Sequence, residues 1–123
     1  MYSVSVEACF SARHSVQLPD GNRESPHAHD WVVRAVFAAQ KLGDGGMVID
    51  FGEAKEALRE VLSRLHNTDL NSLDALQRKD PTAEVLARYV FDQVHSLGGA
   101  LSAIRRVEVV EAAGCVASYE LLA

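Results

Sequence analysis

The chain has 123 residues, of which 48% are hydrophobic and 24% charged, with a formal net charge of -5. That length is one domain's worth of sequence, and residues 1–123 are expected to form a single domain with a real core. The acidic balance and the lack of any basic run beyond Arg105-Arg106 argue against a nucleic-acid partner, and no apolar stretch approaches the roughly 18 residues that cross a bilayer. Met1-Tyr2-Ser3-Val4 lacks the basic and apolar regions of a leader, and Cys9 and Cys115 are too few for a disulfide framework. A cytoplasmic protein is the expectation.

Tyr2, Val4, Val6, Ala8 and Phe10 alternate with polar residues, which predicts a strand that His14 closes. Residues 15 to 26 carry Pro19-Asp20-Gly21-Asn22 and Pro26 and read as a loop. A second strand is predicted from His29 to about Gln40, followed by a flexible connection through Gly43 to Gly46. Phe51, Ala54, Leu58, Val61, Leu62 and Leu65 form one helical stripe that ends near His66-Asn67. Asp80-Pro81-Thr82-Ala83-Glu84 opens a second helix, which Gly98-Gly99 stops. Strands follow from Ile104 to Glu111 and from Cys115 to Leu121. The order β-β-α-α-β-β predicts an α+β fold, a four-stranded antiparallel sheet with both helices on one face.

Five histidines are present, and three of them stand out. His27 and His29 are two apart at the start of a strand, so both imidazoles point to one face. His14, at the end of the preceding strand, can supply a third. Three neutral imidazoles and one open position are the ligand set of a catalytic zinc ion; an incidental set of surface or core histidines is the alternative. His95, within the second helix, reads as an ordinary polar-face residue. Cys9 and Cys115 read as small buried hydrophobes, and Trp31 and Tyr119 as core or interface aromatics.

Five blocks in order resemble the 6-pyruvoyl-tetrahydropterin synthase family, which includes the bacterial 6-carboxy-tetrahydropterin synthases. They are Phe10-Ser11-Ala12-Arg13-His14, His27-Ala28-His29, Gly46-Met47-Val48-Ile49-Asp50-Phe51, Asp80-Pro81-Thr82-Ala83-Glu84 and Glu111-Ala112-Ala113-Gly114-Cys115. The resemblance implies a tunnelling fold (T-fold) whose copies close into a barrel as trimers or hexamers, with the site between subunits. It implies Zn2+ on His14, His27 and His29, and a lyase acting on 7,8-dihydroneopterin triphosphate. It singles out Glu111 as a pterin anchor, although by pattern alone Glu111 equals Glu108 and Glu120. A carboxylate there matches the paired N–H groups of a pterin. Thr82 is either a pterin contact or simply a helix N-cap.

Two departures mark the chain. Relatives place a catalytic cysteine four residues before the first histidine of His-x-His, where this chain has Arg23. Arginine is no base near neutral pH. Glu24 follows it, resembling a subgroup in which glutamate replaces the cysteine and the product is 6-hydroxymethyl-7,8-dihydropterin for folate synthesis. The other reading of Glu24 is a solvated loop acid. Relatives also carry Asp-His where His66-Asn67 stands here. His66, oriented by Asp69, is a substitute base; a helix C-terminal histidine is the alternative. Three functions therefore stand open: the folate-type lyase, a 6-carboxy-tetrahydropterin synthase of queuosine biosynthesis, and a zinc- and pterin-binding paralogue with weakened catalysis.

Overall fold

A computed structural model describes residues 1–76 and 79–122. Strands β1 (Tyr2–His14) and β2 (His27–Ala39) pair antiparallel along their whole length, with Tyr2 opposite Ala39 and His14 opposite His27. Helix α1 (Phe51–Ser63) follows, then a short strand β3 (Thr68–Asp69) and helix α2 (Ala83–Ser96). Strands β4 (Ile104–Ala112) and β5 (Cys115–Glu120) complete the fold, and the sheet order is β3-β1-β2-β4-β5.

The expected four-stranded antiparallel sheet is present, but the observed sheet has a fifth member. β3 runs parallel to β1, pairing Ala12 with Thr68 and Arg13 with Asp69. Two paired residues are too few for any alternation to show in sequence. β2 begins at His27, two residues earlier than the apolar pattern suggested, so both histidines sit inside the strand. α1 ends at Ser63, ahead of the predicted His66-Asn67 boundary. Asn67 there adopts φ +58°, a left-handed conformation that asparagine tolerates better than most residues.

Alternation decides the two faces of the sheet. Val6, Phe10, Ala12 and His14 of β1, Trp31, Val33, Ala35 and Phe37 of β2, and Val107 and Val109 of β4 are buried under the helices. α1 covers β1 with Leu58, Val61 and Leu62; α2 covers β4 and β5 with Leu86, Val90 and Val94. The opposite face carries an alternating ladder of charges. Arg34 pairs with Glu7 at 3.3 Å and Glu108 at 3.9 Å, and Arg106 pairs with Glu108 at 2.8 Å and Glu120 at 3.7 Å. Trp31 is fully buried, and Tyr119 packs against the core with Phe91 edge-on to its ring. Cys9 and Cys115 are exposed, which corrects their reading as buried residues. Cys9 sits on the face of β1 turned away from the helices, and Cys115 begins the edge strand. Among the described residues, no helix is long and apolar enough to cross a membrane.

Candidate metal and pterin site

The strand register builds the histidine cluster. Alternation puts residues 14, 27 and 29 on the helix-facing side, and the pairing sets His14 opposite His27 and Ala12 opposite His29. One ring nitrogen from each histidine lies within 4.8 Å of the other two. The ring centroids are 4.5 to 5.1 Å apart, all edge-on. Trp31 forms the floor, edge-on to His14 at 4.9 Å and to His29 at 5.1 Å, and its indole N–H donates to the Ala12 carbonyl at 3.3 Å.

Hydrogen bonds fix which nitrogen of the His14 and His27 rings is free. His14 Nδ1 donates to the Pro81 carbonyl at 2.7 Å, and His27 Nδ1 donates to the Ser25 carbonyl at 3.0 Å. A carbonyl only accepts, so both Nδ1 atoms carry the proton and both Nε2 atoms present lone pairs. Those two Nε2 atoms face each other at 3.2 Å. Two lone pairs at that separation repel unless a cation lies between them; tetrahedral zinc with bonds of about 2.0–2.1 Å holds its ligand atoms about 3.3 Å apart. His29 Nε2 is buried and has no hydrogen-bond partner among the described residues, an orphan that a metal ion satisfies. Burial holds the His29 imidazole below the usual histidine range, and His27 and His14 add to that, while Glu111 and Glu24 pull the other way. The residues present therefore fit a divalent cation, and the second-partner carbonyls are the kind that orient metal-binding imidazoles.

Two carboxylates flank the triad. Glu24 Oε1 lies 3.7 Å from His27 Nε2 and 3.9 Å from His14 Nε2. Glu111 Oε1 lies 3.4 Å from His14 Nε2, and its other oxygen is 4.0 Å from His29 Nε2. Glu24 is positioned by a hairpin that the turn residues make. Gly21, at φ +88°, closes the turn; Glu24 N–H bonds the Val16 carbonyl at 3.0 Å, and Val16 N–H bonds Glu24 Oε1 at 3.1 Å. Glu24 is thus no free loop acid.

Glu111 also borders a cavity of about 330 Å³, lined by Thr82, Ala83, Glu84, Cys115, Val116 and Ala117 among others. Thr82 caps α2, its hydroxyl accepting from Val85 N–H at 3.2 Å. Thr82→Ala is expected to lower unfolding stability by about 1 kcal/mol in urea titrations. If pterin affinity stays at the wild-type value in that variant, Thr82 is a cap alone.

His66 and Asp69 lie elsewhere, along the outer edge of β1. His66 Nδ1 accepts the Ser11 N–H at 3.1 Å, and Asn67 N–H donates to the Ser11 carbonyl at 2.7 Å. Among the described residues no hydrogen bond joins Asp69 to His66; Asp69 Oδ1 accepts the Asn71 N–H at 3.2 Å. Among the described residues, no contact joins either of them to the triad, Glu24 or Glu111.

Several supporting residues escaped sequence reasoning. Asn71 accepts Ser15 N–H at 2.8 Å and donates to the Ser15 carbonyl at 2.9 Å, which pins the residue after His14. Arg23 donates to the Ser15 carbonyl and to Asp80, each at 3.0 Å. These partners are far apart in the chain, so no local spacing reveals them.

A family model described as 6-pyruvoyl tetrahydropterin synthase matches residues 3–121. The chain belongs to the 6-pyruvoyl tetrahydropterin synthase family. Membership makes it a lyase-type enzyme of pterin chemistry. A putative 6-carboxy-5,6,7,8-tetrahydropterin synthase from Archaeoglobus fulgidus is 29% identical over 110 residues, covering 88% of this chain and 86% of its own. The 6-pyruvoyl tetrahydropterin synthase of Caenorhabditis elegans superimposes with a TM-score of 0.84 at 19% identity, over 98% of this chain and 96% of that one. A Plasmodium vivax 6-pyruvoyltetrahydropterin synthase, studied as a variant with a catalytic glutamate replaced by alanine, superimposes with a TM-score of 0.72 at 17% identity. It covers 96% of both chains. The synthase T-fold is thus the fold of this chain.

Proposed function

We propose that the chain is a zinc-dependent pterin lyase that converts 7,8-dihydroneopterin triphosphate to 6-hydroxymethyl-7,8-dihydropterin, with Glu24 as acid and base. The observation that carries this reading is the Glu24 carboxylate held within 3.9 Å of two of the three imidazoles. The catalytic glutamate of the Plasmodium vivax relative supports it. His14, His27 and His29 would hold the ion, which supplies Lewis acidity toward the hydroxyls of the substrate side chain. Glu111 accepts the paired N–H groups of the pterin at the mouth of the cavity. Glu24 takes the proton from the hydroxyl on the second side-chain carbon as that carbon becomes an aldehyde. The bond to the first carbon breaks, its electron pair is delocalised toward the pterin ring, and the first carbon is then protonated. A carboxylate base of this kind contributes about 10²–10⁴-fold. His66 and Asp69, which bond Ser11 and Asn71 rather than the triad of their own chain, act from a neighbouring copy.

The Archaeoglobus relative favours a second reading, formation of 6-carboxy-tetrahydropterin. Incubating the zinc-loaded protein with 7,8-dihydroneopterin triphosphate and identifying the pterin by chromatography separates the two. Release of 6-hydroxymethyl-dihydropterin supports the first. A 6-carboxy or 6-pyruvoyl product replaces it with ordinary family chemistry. Tight binding without turnover identifies a pterin-binding paralogue.

The sheet supports a homo-oligomer, a trimer or hexamer with the site between copies. β3, His66 and Asn67 occupy the outer edge of β1 only from Ser11 onward, and β5 is the opposite edge. Open edges of this kind template pairing with another chain, and closure into a barrel removes them. Light scattering is expected to show at least a trimer; a stable monomer at micromolar concentration overturns the shared site.

A further inference from the structure

Arg23 stands where the family pattern has its cysteine, and its side chain does not point at the triad. Nη2 donates to Asp80 Oδ1 at 3.0 Å, while Nη1 donates to the Ser15 carbonyl at 3.0 Å and approaches the Ser15 hydroxyl at 3.4 Å. Asp80 uses its second oxygen as well, accepting the Gln17 N–H at 2.7 Å. Gln17 and Arg23 are themselves bridged across the hairpin, so one carboxylate grips both of its arms. The Gln17 N–H and the Arg23 guanidinium together hold the Asp80 carboxyl below the usual carboxylate range. The stabilisation that follows is complete above that usual range and disappears as pH falls through the depressed value.

Both ends of this clamp lead to the site. Asp80 is followed by Pro81, whose carbonyl takes the Nδ1 proton of His14 at 2.7 Å. Proline fixes its own φ and restricts the residue before it, so a displacement of Asp80 reaches that carbonyl with little slack. Arg23 is followed by Glu24, whose carbonyl accepts the Ser15 hydroxyl at 2.7 Å. The path Glu24, Arg23, Asp80, Pro81, His14, Ser15 and back to Glu24 is a closed ring of covalent and hydrogen bonds.

We propose that Arg23 is a positioning residue: its ion pair with Asp80 sets the Glu24 carboxylate and the His14 ring in one geometry. The inference rests on the metal-dependent lyase reading above. Stability is not the main product of the pair. Arg23 is 50% exposed and Asp80 31%, and exposed pairs contribute little to folding. Geometry is more sensitive, since losing the partners that orient a metal-binding imidazole costs about 10–100-fold in affinity or activity. Pairing with Asp80 also keeps the guanidinium from neutralising Glu24, its neighbour in sequence.

The test uses the full-length protein and four variants: Arg23→Met, Arg23→Lys, Asp80→Asn and the Arg23→Met/Asp80→Asn double. Three signals are read: the His14 Nδ1–H resonance in nitrogen-edited NMR of metal-free protein, Co2+ affinity by chelator competition, and kcat and KM on 7,8-dihydroneopterin triphosphate. Arg23→Met is expected to lose or broaden the His14 resonance, weaken Co2+ about tenfold and lower kcat more than it raises KM. Arg23→Lys restores part of each signal, and the double variant is no worse than Arg23→Met, because both changes open one clamp. Should Arg23→Met fold poorly, Asp80→Asn, which keeps the side-chain size, carries the same expectations. A wild-type His14 resonance in Arg23→Met and Asp80→Asn overturns the clamp, as do losses that multiply in the double. Absence of Co2+ binding in the wild type overturns the metal reading instead, and the metal-free resonance still decides the clamp.

Discussion

Replacing His27 by alanine is expected to abolish metal binding at the proposed three-histidine site. His27 supplies one of three converging nitrogens, and its Nε2 lies 3.2 Å from that of His14. Its Nδ1 proton is committed to the Ser25 carbonyl, so the ring cannot offer the wrong nitrogen. Two remaining imidazoles leave a site no better than many surface pairs. A fall in affinity of at least about a hundredfold is expected, more than the loss of an orienting partner brings. Elemental analysis after dialysis checks it, and full retention of metal rejects the three-histidine site. The fold is expected to survive, because His27 is only half-buried at the end of its strand.

The second large effect is expected at Glu24. Glu24→Ala should lower turnover by about 10²–10⁴-fold while leaving the metal stoichiometry unchanged, since the three imidazoles remain. Glu24→Gln makes the sharper comparison. It keeps an oxygen to accept the Val16 N–H, which Glu24 Oε1 accepts at 3.1 Å in the native chain, and removes only the basicity. Equal losses in both variants, measured as kcat with saturating substrate, assign the effect to proton transfer. A wild-type rate in either makes Glu24 a bystander held near the metal by its hairpin.

What the sequence disclosed follows from periodicity and local chemistry. The spacing of His27 and His29 was enough to put two imidazoles on one face and to make His14 a candidate third; the register that sets His14 opposite His27 is a property of the sheet. The turn residues around Gly21 announced a loop, though not that its arms pair as a hairpin and return Glu24 to the triad. That return depends on Asp80 and Asn71, which meet the hairpin from more than fifty residues away. β3 was invisible because it is recruited by β1 and has no pattern of its own. For the cysteines, hydrophobic character does not imply burial: Cys9 and Cys115 follow strand parity and edge position outward. Within the chain His66 bonds the backbone of β1 and Asp69 a local turn, pairings that the spacing of the two residues does not announce.

Trp31, the only tryptophan in the chain, lies edge-on beneath His14 and His29. Its fluorescence is therefore an internal gauge of the site. Paramagnetic Co2+ entering the triad should quench it, and a dihydropterin in the adjoining cavity should drain its emission by energy transfer. Occupancy of both ligands becomes readable in one cuvette, without a label and without turnover.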